Sequence, residues 1–162
     1  MKKIVLGIML LMGSLTFAQG GYEGYWMMPK GKFIIHIEKT ESSEYIGHVV
    51  WLKDLYYPEG DKMEGLEQYD RNNPNKSLRE ENRKVIGLLV VGELFEKDGK
   101  LQDGWIYDSW NGKMYHGSAK LLDENTLKLR GSFDRWGILG LSQKAKRVVD
   151  LKKYGILTDE KK

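Results

Sequence analysis

Thr126-Leu127-Lys128-Leu129-Arg130-Gly131-Ser132-Phe133 alternates apolar or small residues with polar ones. Side chains two apart on an extended chain share a face, so the stretch reads as a strand with Leu127, Leu129, Gly131 and Phe133 turned inward and Lys128 and Arg130 turned out. The next segment, Leu139 to Val149, obeys the same rule and sets Leu141, Gln143, Ala145 and Arg147 on one face. That face carries a polar Gln143 and ends in a charge. A guanidinium there is costly unless an aromatic ring and backbone carbonyls receive it.

Working outward, the same pattern recurs between turn residues, and long stretches of helical period are lacking. The segments are Tyr22 to Met28, Phe33 to Glu38, Glu44 to Leu52, Val85 to Leu94, Gly104 to Asp108, Lys113 to Leu121, Thr126 to Phe133 and Leu139 to Val149. Lys97-Asp98-Gly99-Lys100, Asn111-Gly112 and Asp123-Glu124-Asn125 supply turns. About eight antiparallel strands in up-and-down order suit closure into an all-β barrel wide enough for one small ligand, with a two-sheet sandwich as the alternative.

Two resemblances sharpen this reading. Gly24-Tyr25-Trp26 on the first strand and Arg147 on the last resemble the pair that meets at the closed end of lipocalin-like barrels, a role in the fold and not a site. Gly47-His48-Val49-Val50-Trp51-Leu52, Asp70-Arg71-Asn72-Asn73-Pro74-Asn75, Gly87, Gly104-Trp105-Ile106-Tyr107-Asp108, Asn111-Gly112-Lys113-Met114-Tyr115, Leu129-Arg130-Gly131 and Gly140-Leu141-Ser142-Gln143 together resemble the DUF2147 family. That resemblance implies an exported bacterial protein with a lipocalin-like (calycin) barrel, a ligand cavity and no assigned reaction. The chain departs from the family pattern at Ser109, where Pro is usual, and at Ala145, where an aromatic Trp is usual. A truncation at position 145 frees room if that position lines the cavity.

Residues 1–18 read as a signal peptide: Lys2 and Lys3, an apolar run from Ile4 to Phe17, and a small-x-small junction at Thr16-Phe17-Ala18. The run is shorter than the roughly 20 residues of a membrane-spanning helix. Cleavage after Ala18 leaves residues 19–162 as one domain, delivered to the periplasm or outside the cell. The chain has no Cys, so neither a disulfide nor an acylated Cys anchor contributes. The formal net charge of +3 falls when Lys2 and Lys3 leave, and acids and bases interleave without a basic stripe. Nucleic acid and anionic membrane surfaces are therefore not expected as partners.

No catalytic case emerges. His36, His48 and His116 lie on separate strands without metal-ligand spacing, so a metal or other cofactor is not expected unless folding gathers them. There is no G-x-S-x-G, and nothing in the spacing of Asp70 and Asp108 sets a glycosidase-like separation. The aromatic inventory suits a binding cup better, and Trp51, Trp105, Tyr107, Tyr115 and Gln143 are the expected lining. Residues 53–84 form one long loop at the mouth, with Tyr57, Asp70 and Asn73 as its notable residues and a short helix beginning at a Ser77/Glu80 capping box. An Asx-rich turn such as Asp70 to Asn75 pins a loop in place more readily than it contacts a ligand. The expectation is a monomer or weak dimer holding a small lipophilic molecule. The competing reading is a filled barrel whose 53–84 loop, with exposed rings such as Trp110 and Trp136, binds another envelope protein.

Overall fold

The structure, a computed structural model, describes residues 21–157; the expected signal peptide lies outside the described residues. Eight strands run in sequence order around a closed antiparallel barrel: β1 (Gly24–Met27), β2 (Phe33–Lys39), β3 (Tyr45–Leu52), β4 (Leu89–Lys97), β5 (Lys100–Asp108), β6 (Lys113–Asp123), β7 (Thr126–Ser132) and β8 (Gly140–Val148). Each strand pairs with its successor and β1 closes the barrel on β8 through Tyr25–Val148, Trp26–Arg147 and Met27–Lys146, the β8 residues before Lys146 having no ladder partner on the β1 side. The alternation of β7 holds, with Leu127 and Leu129 buried and Lys128 and Arg130 half-buried. Phe133 is a correction: the strand ends at Ser132, and Phe133 is exposed beyond it against the edge of the Tyr115 ring.

The closed end is organised around Trp26. It lies opposite Arg147 in the β1–β8 ladder, is fully buried, and donates its indole N–H to the Tyr22 carbonyl at 2.9 Å. The guanidinium of Arg147 sits 4.2 Å from the centre of the indole and donates to the carbonyls of Gly21, Glu23 and Glu124. Desolvation pulls the Arg147 pKa below its ordinary value, and these carbonyls and the ring's negative face offset that cost.

Cross-strand pairs rank the interior side chains by height. Leu127 opposite Ala145 and Leu101 opposite Ala119 form a lower layer with Trp26, Ile37, Val49 and Leu94, all closely buried. Leu129 opposite Gln143, Gly131 opposite Leu141, and Ile106 opposite Tyr115 lie above it, toward the open end. Down the inner row of β8, Leu141 is 75% exposed and Ala145 0%. The barrel is therefore packed solid in its lower half and hollow in its upper half. Ala145 belongs to the solid half and does not line the cavity, so the condition under which its small side chain would free room is not met.

Residues 53–84 are built and not merely long. Single bridges join Tyr56 to Glu67 and Tyr69 to Lys84, and one helical turn, α1 (Lys76–Glu80), follows the Asx-rich stretch. Its cap is Asn75, whose side chain accepts from the Ser77 backbone N–H, in place of the expected Ser77 box. The apolar run starting at Val85 is split: Val85 and Leu88 pack under the loop, and the strand begins only at Leu89. The β5–β6 turn clamps the loop from the other side, for a Cβ on Gly112 (φ +62°) would come 1.8 Å from the Asn72 carbonyl.

Candidate binding cavity

The hollow half is a cavity of about 860 Å³ opening at the end of the barrel away from Trp26. Ile35, Val91 and Leu129 form its floor, Ile106, Tyr115 and Leu141 its walls, and Phe33, Leu52 and Trp110 one side of its mouth. Lys30, Lys32 and Lys144 stand round the rim with Asp54 and Asp108. Cavities of this size, apolar within and polar at the edge, accommodate compact amphipathic molecules. Gln143 is the polar side chain set among the apolar wall positions.

Among the expected lining residues, Tyr107, Tyr115 and Gln143 border the cavity and Trp51 and Trp105 do not. Trp51 is displaced by one extra residue in β3. Ile35 faces Val49 across the ladder while Ile34 faces Trp51, so the alternation reverses between them. Trp51 thus shares the face of Ile34, and its ring packs edge-on against Tyr154 of the C-terminal segment at 5.0 Å. Beyond the bulge, Leu52 and Phe33 take the inward positions. Trp105 fails for a simpler reason. It lies opposite Gly92 and His116, whereas its neighbour Ile106 lies opposite Val91 and Tyr115, both in the cavity wall. The Trp105 indole covers Gly92 on the other face, where a Cβ would come within 2.4 Å of the ring.

Tyr107 reaches the cavity only at its border. Its hydroxyl is directed into the long loop and donates to Asp70 Oδ1 at 2.6 Å. Asp70, 1% exposed, also accepts from Asn73 Nδ2 at 2.7 Å and from Arg83 Nη2 at 2.9 Å. Burial first, and the Asp70 carboxylate second, push the Tyr107 hydroxyl pKa far above its ordinary value, so it stays a donor at any physiological pH. Tyr57 donates to the Tyr69 carbonyl at 2.9 Å, under the Arg71 guanidinium at 4.1 Å. Arg71 in turn makes a two-pronged pair with Asp61, whose pKa falls to about 2 chiefly through that hydrogen bonding. Tyr57, Asp70 and Asn73 are thus the loop's own interior.

A second depression, about 720 Å³, runs outside the barrel along Leu55, Tyr56, Pro58 and Arg71. Trp110 partitions it from the cup, resting 5.0 Å from the Phe33 ring and donating to Gln68 Oε1. His36 and His48 face each other across β2 and β3, and His36 stacks on Tyr25. His116 lies apart on β6, and no metal-holding cluster occurs among the described residues. Asp108 spends its carboxylate on Asn111 and the Trp110 N–H.

Residues 24–147 match the model of a family described as uncharacterized proteins conserved in bacteria, DUF2147. This chain belongs to DUF2147. The match begins at Gly24 and ends at Arg147, the two ends of the closure just described. The barrel is similar to protein HP1028 of the human pathogen Helicobacter pylori, described as belonging to the lipocalin family. The TM-score is 0.68 at 21% identity, over 84% of this chain and 90% of that one, and shows a lipocalin-like fold. No curated protein matches the chain.

Proposed function

We propose that this DUF2147 protein is an exported, non-enzymatic carrier that holds a small apolar or amphipathic molecule in the upper half of its barrel. The observation that carries the reading is the division of the interior: Leu141 and Gln143 stand exposed on the same strand face whose next inward residue, Ala145, is fully buried. An apolar wall left open to water above a complete floor provides driving force for a guest, at about 25 cal/mol per Å² of apolar surface covered, less the ordering costs. Lys30, Lys32 and Lys144 at the rim suit a guest with an acidic head.

The test uses Leu141→Asp. Its side chain is mostly exposed, so the substitution leaves folding intact while placing a carboxylate on the cavity wall. A fluorescent fatty-acid analogue is expected to bind wild type and to lose at least about tenfold in affinity to the variant, the cost of roughly one unfavourable burial. Equal binding by both proteins would place the guest elsewhere. Native mass spectrometry of the protein from its own source, followed by organic extraction, then names the guest.

A further inference from the structure

The connection between β7 and β8 presents the largest concentration of exposed apolar side chains among the described residues: Trp136 is 82% exposed, Ile138 75%, and Phe133 and Leu139 about two-thirds. Leu141 continues the patch into the cavity wall. Scattered surface hydrophobes need no explanation, but a contiguous set on one projecting tip does. The tip is also tied off internally. Arg130 donates to the carbonyls of Gly137 and Ile138, the Asp134 carboxylate accepts the N–H groups of Ile138 and Leu139, and Ser132 Oγ donates to the Asp134 carbonyl. Much of its polar backbone is thus satisfied internally, which lowers the cost of entering the headgroup boundary.

We propose that this tip docks the mouth of the barrel onto a phospholipid bilayer bearing anionic headgroups. Trp136 and the aliphatic side chains enter the headgroup boundary, where an amphipathic indole is most favourably placed. Charge at the same end is complementary. Arg130 and Arg135 at the tip and Lys30, Lys32 and Lys144 beside the cavity outnumber Asp134, Asp54 and Asp108 there. No basic stripe is visible along the sequence because these cations come from the β1–β2 connection, the β7–β8 hairpin and strand β8, which are far apart in the chain. Docking does not depend on what the cavity holds, since an empty barrel would present the same tip.

The experiment is flotation of purified protein with vesicles of phosphatidylcholine alone and of phosphatidylcholine mixed with phosphatidylglycerol, comparing wild type, Trp136→Ser, Leu139→Ser and Arg135→Glu. Wild type is expected to float with the mixed vesicles and much less with the neutral ones. Each serine variant is expected to lower the partition coefficient about tenfold, with an unchanged thermal midpoint because these side chains make little folded contact. Arg135→Glu reduces binding at low salt only. Wild type that stays with the buffer, or serine variants that float as well as wild type, would overturn the proposal. So would a stable dimer that the serine variants dissolve, because the patch would then be a contact between two copies of this chain.

Discussion

Replacing Asp70 with Ala should loosen residues 53–84 while sparing the barrel. The Asp70 side chain is wholly buried and receives three hydrogen bonds, from Tyr107, Asn73 and Arg83. Removing one partner of a buried ion pair typically costs about 3–5 kcal/mol. Arg83 is 36% exposed and can rehydrate in part, so the lower end applies, about 3 kcal/mol. The Tyr107 hydroxyl and the Asn73 amide are not so placed, which keeps the figure from falling further. Because the network joins the loop to β5 by one tyrosine and no strand ladder runs through Asp70, the loss belongs to local opening. About 3 kcal/mol is a factor of roughly 150 in the open population. Limited proteolysis under conditions where opening is fast relative to cleavage should therefore cut within residues 53–84 about a hundredfold faster, with the far-ultraviolet dichroism of the barrel unchanged. Cleavage at the wild-type rate, or loss of the whole barrel in one transition, would refute this account of the loop.

Other outcomes follow from the same geometry. The Tyr107 pKa is raised on folding, so its contribution is complete below the unfolded tyrosine value of about 10 and is lost as pH climbs toward the folded value. Alkaline titration should open the loop in wild type and do so less steeply in Tyr107→Phe. The Asp61 pKa is instead depressed to about 2, so its contribution is present above the unfolded value near 4 and disappears as pH falls toward 2. Pepsin cleavage of the loop should accelerate across that window in wild type, whereas Asp61→Asn should begin loose and change little. Ser109 buries its hydroxyl with no partner among the described residues, so Ser109→Ala should raise stability by about 1 kcal/mol in urea unfolding. Trp51→Ala should free the C-terminal turn to hydrogen exchange while leaving affinity for a lipophilic probe unchanged.

What the sequence could and could not convey divides along the physics of the β-strand. Alternation in Leu127 to Gly131 is local and readable from residue order, whereas the pairing of Trp26 with Arg147 was carried by the resemblance to lipocalin-like barrels. The lining at Tyr115 and Gln143 was likewise legible as a matter of phase. Trp51 was not, because the extra residue in β3 leaves no compositional mark and still exchanges the faces of everything beyond it. Trp105 and Ile106 are adjacent, and choosing between them required knowing which of the two stands beside Val91 and Tyr115. Ile35 and Ile106 would have been found by extending the inward set, which already held Leu129, from β7 through each neighbouring strand. The role of Asp70 rested on Arg83 and Tyr107, both distant in sequence, and only the Asx-rich stretch hinted at it.

The half-filled interior carries a consequence for how such a barrel can diversify. Side chains of the solid lower layers set how well the protein stands, and those of the hollow upper layer set what it admits, with Leu129, Val91 and Ile35 at the shared boundary. Shortening Leu129 or Val91 would deepen the vessel without touching the ladder at the Trp26 closure, whereas Ile35 stands directly opposite Trp26 and serves both ends. Capacity and foundation are thus nearly separate variables, joined through a boundary tier that includes these residues.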